Sequence, residues 1–415
     1  MLGWGLAERG NANFFDVIVV GAGPVGMACA LALFKRGFNV CVLEKESEPV
    51  VDQRAASIHP ITLEMLDDLG VAEMIIPKGL KAPIFQYHDR TNGEIIAVFD
   101  LELLKDEFRF PYVLQYEQYK LTKDITETYS KESGFDALYS HAFVGAEQGS
   151  DHVNVLVETP NGVEMMQARY LVGADGGRSA VRRSMCIEFE GFTYDENFIK
   201  IATNFDFQKA HPEYAYRNFF SDPEEWCNLF KVRGERPEGL WRAVFPTRVG
   251  ESVTDALKPE SVERRMQKFF PSGARYHVEY CNVYTVSQRV AKVFRKGRIC
   301  IAGDAAHVNN PIGGMGMNGG IHDAINLSGK IAQALDGTGG EDVLDLYSRQ
   351  RRFAAVEYVQ AQTIANKKLL EEKDLNVRRK NLMQLRSTAD DLEKTKAFMR
   401  RTSLLESVRS SEAVT

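Results

Sequence analysis

Three carboxylates follow apolar, β-branched runs, and two of them sit beside glycine. Glu44 follows Asn39–Leu43, Asp175 follows Tyr170–Ala174, and Asp304 follows Arg298–Ala302. An acid at a strand end can accept hydrogen bonds from sugar hydroxyls, while side-chain-free backbone beside it meets phosphate. In the first group, Gly21-Ala22-Gly23-Pro24-Val25-Gly26 links the run Phe15–Val20 to an alanine-rich helix, Met27–Arg36, closed by Gly37. Gly21 permits the tight turn, Gly23 lets backbone reach a pyrophosphate, Gly26 lets helix and strand pack closely, and Glu44 takes ribose hydroxyls. In the second, Asp175-Gly176-Gly177-Arg178 leads into a helix starting near Ser179, with Arg182 one turn on. That set suits sugar hydroxyls and phosphates together. In the third, Gly303-Asp304 is followed by a loop carrying Pro311 and glycines at 313, 314, 316, 319 and 320. A helix then opens with Asn318 as candidate cap and Asp323 in its first turns. Its free N–H groups and positive dipole end point back into the loop, where they would bind phosphate or stabilise negative charge on a ring.

These groups need elements to hold them. Phe15–Val20 and Tyr170–Ala174 read as buried parallel strands, since both are continuous apolar runs. Alternation around Asn92-Gly93 predicts a hairpin over Ile84–Phe99, and Asn161-Gly162 predicts another joining Val153–Glu158 to Met165–Ala168. Helices are expected at Thr62–Leu69 and Glu260–Phe270, and a strand then a helix over Pro111–Tyr129. Between about 187 and 285 aromatics become dense, and Trp226–Val232 and Leu240–Phe245 read as strands of an antiparallel sheet. Beyond Gly337 the chain reads as two helices, Val343 to about Lys373 and Ser387–Val408, the second opened by Ser387 in an S-x-x-D pattern. Residues up to about Asn13 read as a loose leader.

The 415 residues, 44% of them hydrophobic, suffice for two or three structural units. A net charge of −6 with both signs dispersed gives nucleic acid no electrostatic footprint. Six scattered cysteines without CxxC spacing argue against a disulfide framework or a metal site, and fit a cytoplasmic, reduced protein. The start lacks the basic and apolar regions of a signal peptide, and no apolar run reaches the ~20 residues of a membrane span.

Glu44-Lys45 is followed by Gln53-Arg54-Ala55-Ala56-Ser57 and then by Pro60-Ile61-Thr62-Leu63-Glu64-Met65-Leu66. Together with Gly21–Gly26, Asp175–Arg182 and Gly303–Asn318 in this order, that pattern resembles the class A flavoprotein aromatic hydroxylases, the p-hydroxybenzoate and phenol hydroxylase-like superfamily. The resemblance runs from Phe15 to roughly Arg352. It implies an α/β, Rossmann-like FAD-binding fold of the glutathione reductase type, with an inserted antiparallel-sheet substrate domain and a C-terminal helical segment. The FAD-binding parts would be 14–83, 105–186 and 286–340, the substrate parts 84–104 and 187–285, and the helical region 341–415.

The resemblance also implies chemistry. NADPH or NADH would reduce FAD, O2 would add at flavin C4a to give a hydroperoxide, and its distal OH would pass to an electron-rich phenolic or hydroxylated heteroaromatic ring. Cofactor contacts are then expected from Gly21, Gly23, Gly26, Glu44, Arg54, Gln115, Asp175, Arg178, Asp304, Gly316, Met317 and Asn318. Arg178 and Arg182 are candidates for the nicotinamide cofactor's phosphates. At the reacting ring the candidates are Pro311, with Tyr216 to polarise a phenol and Arg242 to pair with an anionic substituent; Arg217 and Arg233 compete for that last role. His307 and His88 are expected to be structural. The C-terminal helices would pack on the FAD domain, form a homodimer contact or stand solvated, the last being the reading adopted. The alternatives are another flavoenzyme of this fold (a ubiquinone-pathway hydroxylase, a halogenase or a reductase) and a lipid carrier without redox chemistry.

Overall fold

The structure, a computed structural model, describes residues 14–51 and 53–415; the expected leader lies outside them. Its first sheet is organised around Phe14–Val20, which runs parallel to Val40–Leu43 on one side and to Gly162–Gly173 on the other. Val17 lies opposite Val40 and Tyr170, and the parallel stretches Val17–Val20, Val40–Leu43 and Tyr170–Gly173 are buried, as a parallel sheet covered on both faces requires. The strand Gly162–Gly173 serves three neighbours. Its first half pairs antiparallel with Val153–Thr159, and its second runs parallel to Phe14–Val20 and Ile299–Ile301. The first helix spans Pro24–Phe34, three residues earlier than Met27. Proline at its first position already has the helical φ and needs no donor, so the helix starts directly after Gly23. A Cβ on Gly320 would lie 2.6 Å from Val25 Cγ2, so only glycine lets this helix and the helix Met315–Asp336 lie so close.

The second sheet takes its strands from separated stretches. In order they are His307–Val308, Val278–Ala291, Phe189–Thr203, Leu240–Pro246, Cys227–Val232, Arg217–Ser221, Ile84–Asp89 and Glu94–Asp100. Every pairing is antiparallel except Arg217–Ser221 with Ile84–Asp89. Gly93, at φ 77°, makes the expected hairpin turn. Alternation of faces divides the aromatics. Phe207, Trp241 and Phe245 pack with Met266 of the helix Pro259–Phe269 on the outer face, while Phe219, Phe230 and Val244 face inward.

The C-terminal region differs from expectation. Asp342–Ala354 continues through a π-helical turn, Ala355–Gln360, into Ala361–Glu371, but three shorter helices follow: Leu375–Ala389, Leu392–Thr402 and Leu405–Glu412. Ser387 is therefore inside a helix. The cap is Asp391, whose carboxylate accepts from the Glu393 and Lys394 N–H groups. The helix Leu375–Ala389 buries only Arg378, Leu382 and Leu385, too few to write a periodic stripe in the sequence. Nor do these helices stand solvated. Arg378 pairs with Asp89 at 2.6 Å, Arg400 with Glu107 at 2.7 Å, and Phe398 stacks on Phe99 at 4.5 Å, so together they cover the outer hairpin of the second sheet. Covering that edge removes a template for unwanted strand pairing.

Three histidines are buried as neutral groups. Burial lowers His59 to about 3, His322 to about 3 and His88 to about 4. Each takes a proton in the unfolded chain near 6.5 but refuses it in the fold, so their stabilisation is complete above that pH and declines as pH falls toward 3 to 4. The slope reaches about 1.4 kcal/mol per pH unit for each histidine. The urea midpoint should fall steeply from pH 6.5 to 5, and His88→Gln should flatten the decline; a midpoint constant across that range would contradict this assignment.

Candidate functional site

One continuous cavity of about 1330 Å3 runs from the C-terminal ends of the parallel strands to the inner face of the second sheet. At its first end Gly21 turns with φ 105°, and a Cβ there would lie 2.5 Å from the Ala174 carbonyl oxygen. Gly23 is different: its backbone is extended, and a Cβ would meet nothing within 4 Å, because it would project into the cavity. Glu44 is aimed at this turn, its carboxylate accepting from the Ala22 N–H at 2.9 Å and the Glu46 N–H at 3.1 Å. Asp175 accepts from Ala180 N–H and Val181 N–H through Oδ2, while its buried Oδ1 has no partner. Arg178 stands exposed at the cavity rim. Arg182 does not reach the cavity: its guanidinium donates to Ala305 O at 2.7 Å and Gly177 O at 2.9 Å and lies over Phe189. It ties two strand-end turns together and is not placed to meet a phosphate.

Asp304 lines the middle of the cavity from the short turn Gly303–Ala305. That turn is pinned from behind by Asp323, which is fully buried. Asp323 accepts from Gly303 N–H at 3.0 Å, His307 Nε2 at 2.8 Å and Arg351 Nε at 2.6 Å. Burial alone would raise its carboxyl, but His307 and Arg351 outweigh it and hold it at about 2. His307 is thus a structural ligand of this carboxylate. Nothing in the sequence marked Arg351, since the pair is formed across 28 residues.

Pro311 lines the cavity beside the glycine run. The cap there is Gly314, not Asn318, and the helix starts at Met315, because Gly313 and Gly314 both take left-handed conformations. The Asn318 N–H consequently belongs to the helical ladder, and the donors left over are those of Met315, Gly316 and Met317. Of these residues, Gly316 and Met317 line the cavity and Asn318 does not. Asn318 acts as a buckle: its Oδ1 accepts from His59 N–H, and its Nδ2 donates to Ser57 O and Gly314 O, all within 2.8 Å. Arg54 and Ser57 line the cavity opposite. Gln115 lies just behind, its Oε1 accepting from Ser57 Oγ at 2.8 Å and its buried Nε2 without a partner.

The far end is formed by the second sheet, and here two expectations fail. Tyr216 precedes Arg217, so it falls on the opposite face and packs against Trp241 in the outer core. Arg242 shares the inward face with Val244, but Glu117 covers it at 3.7 Å and it is 1% exposed. Neither reaches the cavity. Arg233 is also absent from its lining, and its guanidinium bonds Pro237 O. Of the three competing arginines, Arg217 is the one that lines the cavity, with Phe219, Phe230, Val244 and Tyr284 around it.

Residues 15–362 match the family described as FAD binding domain. Over 363 residues the chain is 33% identical to para-nitrophenol 4-monooxygenase from Pseudomonas sp. (strain WBC-3), spanning 86% of this chain and 88% of that protein. The chain belongs to the class A FAD-dependent aromatic hydroxylases. The hydroxylase is also 32% identical to 6-hydroxy-3-succinoylpyridine 3-monooxygenase HspB of Pseudomonas putida (strain DSM 28022 / S16), over 83% of this chain and 86% of that one. Its fold superimposes on the crystal structure of p-nitrophenol 4-monooxygenase PnpA from Pseudomonas putida DLL-E4 with a TM-score of 0.88, at 30% identity, covering 95% of this chain and 98% of that chain. The hydroxylase's residues fit FAD on three independent observations: the open space at Gly23 and the unpartnered buried atoms Gln115 Nε2 and Asp175 Oδ1. Buried polar atoms without partners are costly, and Asp175 lines the cavity, where a ligand group would satisfy its Oδ1.

Proposed function

We propose that this enzyme hydroxylates a phenolic or hydroxylated heteroaromatic ring, with NADPH or NADH as reductant and O2 as oxidant. The observation that carries the reading is the single cavity, which joins a dinucleotide cradle at one end to an aromatic-lined recess at the other. Gly23 would admit the pyrophosphate at the turn that Gly21 and the close packing of Gly26 make possible, Glu44 and Asp304 would take sugar and ribitol hydroxyls, and Asp175 and Gln115 would hold polar groups through their free atoms. Arg54 and Arg178 would lie along the bound cofactor. Bound there, FAD supplies two-electron reduction by the nicotinamide and activation of O2.

The chain's own residues orient and enclose the reactants. N–H groups of Gly316 and Met317 point a positive helix end into the cavity and would stabilise negative charge on the ring system beside them. Pro311 and the Gly313–Gly314 turn hold that helix end, and Asn318 locks it to the His59 backbone. Phe219, Phe230 and Val244 exclude water from the recess, which limits wasteful release of peroxide. Among the described residues no helix is long and apolar enough to cross a membrane, and all six cysteines are free thiols. Both observations support work in the cytoplasm, where reduced nicotinamide is supplied.

The test is a panel of phenols and hydroxypyridines offered to the FAD-loaded protein with NADPH or NADH under 18O2. Ring-hydroxylated product carrying one labelled oxygen per nicotinamide oxidised is expected. Nicotinamide oxidation that no aromatic stimulates, or product without label, would refute the reading.

A further inference from the structure

The helical stretch Asp342–Glu371 changes its winding once, at the π-helical turn Ala355–Gln360, and its two halves grip one stretch of chain from behind. Upstream, Tyr347 donates its hydroxyl to Ile301 O at 2.7 Å, and Arg351 bonds Asp323, which backs the Gly303–Ala305 turn. From the end of the π turn onward, Gln360 Nε2 donates to Val308 O at 2.8 Å, Thr363 O accepts from Asn310 Nδ2 at 2.9 Å, and Asn366 Nδ2 donates to Ile312 O at 3.1 Å. Gln360 Oε1 also accepts from Gln288 Nε2 at 2.6 Å, and Gln288 Oε1 in turn accepts from the Asn310 N–H. The anchored residues alternate along the loop, at 308, 310 and 312, and those between them, Asn309 and Pro311, line the cavity. One side of the loop is clamped and the other is presented to the reactants. A π turn takes in one residue more than an α turn, and each helical residue advances roughly 100°. Without that extra residue Gln360, Thr363 and Asn366 would swing away from the loop while Arg351 stayed in place.

We propose that Gln360 is a positioning residue for hydroxylation, holding the back of the loop Val308–Ile312 so that Asn309 and Pro311 keep a dry, fixed wall beside the reacting ring. The inference rests on the hydroxylase reading and goes beyond it, in naming what sets that wall. Gln360 does not line the cavity and acts through the loop backbone alone. The chemistry at stake is a partition of oxygen. In either outcome O2 takes the two electrons of the nicotinamide. Behind an intact wall one oxygen atom enters the aromatic ring and the other leaves as water, whereas water at the reacting centre lets both leave as H2O2. Reacting groups misplaced by about 1 Å can lose a factor of about 100 in rate, so a loosened wall favours the second outcome.

The test compares FAD-loaded parent with Gln360→Met, which removes the amide at nearly the same length, and Asn366→Leu, which removes a second anchor and serves if the first variant does not fold. Met266→Ala, on the outer face of the second sheet, controls for lost stability alone. Two quantities are read: deuterium uptake by the backbone amides of residues 307–313, and hydroxylated product per nicotinamide oxidised with each phenol or hydroxypyridine that the parent hydroxylates. In Gln360→Met the loop amides should exchange at least about 10-fold faster, with residues 17–26 unchanged. Product per nicotinamide should fall at least about 3-fold, the balance appearing as H2O2. Asn366→Leu should move both readings the same way, and Met266→Ala should melt earlier yet keep the parent's values. Loop exchange equal to the parent's, faster exchange with product yield intact, or the same loss of yield in Met266→Ala would each overturn the proposal. A parent that hydroxylates none of the aromatics would count against the hydroxylase reading, while loop exchange in the variants still decides whether Gln360 holds the wall.

Discussion

Gly23→Val is expected to abolish FAD retention while leaving the apoprotein folded, whereas Gly26→Ala, a smaller change three residues on, is expected to destabilise the fold itself. The contrast follows from what a Cβ would meet. At Gly23 the backbone is extended and the space is open, so valine costs the apoprotein no more than about 1 kcal/mol, the loss of a favourable cap. Its methyl groups would fill the cradle that a pyrophosphate needs, and FAD affinity should drop at least about 100-fold, roughly 3 kcal/mol. At Gly26 a Cβ would stand 1.9 Å from the Gly21 carbonyl oxygen, so helix and turn must separate at a cost of about 3 kcal/mol or more. Flavin absorbance per protein and urea unfolding of the apoprotein read the two effects separately. Equal losses of stability in both variants would show that Gly23 faces packed protein and not the cofactor.

The second large effect lies outside the cavity, at Asp323. Asp323→Asn removes the charge that Arg351, 3% exposed, depends on, and leaves that guanidinium buried without its counterion. Breaking one side of a buried pair costs about 3–5 kcal/mol, a large share of the roughly 5–15 kcal/mol that holds a folded protein together. The turn Gly303–Ala305 loses its anchor at the same time, so flavin occupancy should fall although Asp304 itself is intact. The pH signature can also be stated. Asp323 is held at about 2 against about 3.9 in an unfolded chain, so its stabilisation is present above pH 4 and vanishes as pH falls toward 2. In Asp323→Asn that acid limb should be missing. A variant with the parent's urea midpoint would mean that Arg351 finds another partner at no cost.

How legible each part was in the sequence follows from the range over which it is encoded. The cradle at Gly21–Gly26 and the hairpins at Asn92-Gly93 and Asn161-Gly162 depend on backbone conformations that few residues allow, so a handful of adjacent letters sufficed. The cap of the helix Met315–Asp336 lies four residues before Asn318, because the glycine run hides its own start; only the left-handed Gly313 and Gly314 reveal it. Tyr216 and Arg242 were misplaced for a different reason. Which face a residue takes depends on register and on what covers that face, and Glu117, which buries Arg242, comes from a helix start far away in the chain. Asp323 with Arg351, and Asn318 with His59, are pairings set by the tertiary fold, with no local pattern to announce them.

The parallel pairing of Arg217–Ser221 with Ile84–Asp89 has a consequence for how this molecule can be taken apart. The sheet behind the recess is sewn from separated lengths of chain, with strands of the dinucleotide cradle's own sheet lying between them in sequence, so it is not a cassette. Exchanging residues 187–285 with those of a relative would set a foreign edge against the native hairpin Ile84–Asp100, with Phe219 and Tyr87 stacked across the seam at 4.9 Å. Chimaeras that carry both lengths together, and with them the helical cover that rests on the hairpin, are the ones whose hydrogen-bonding edges still match.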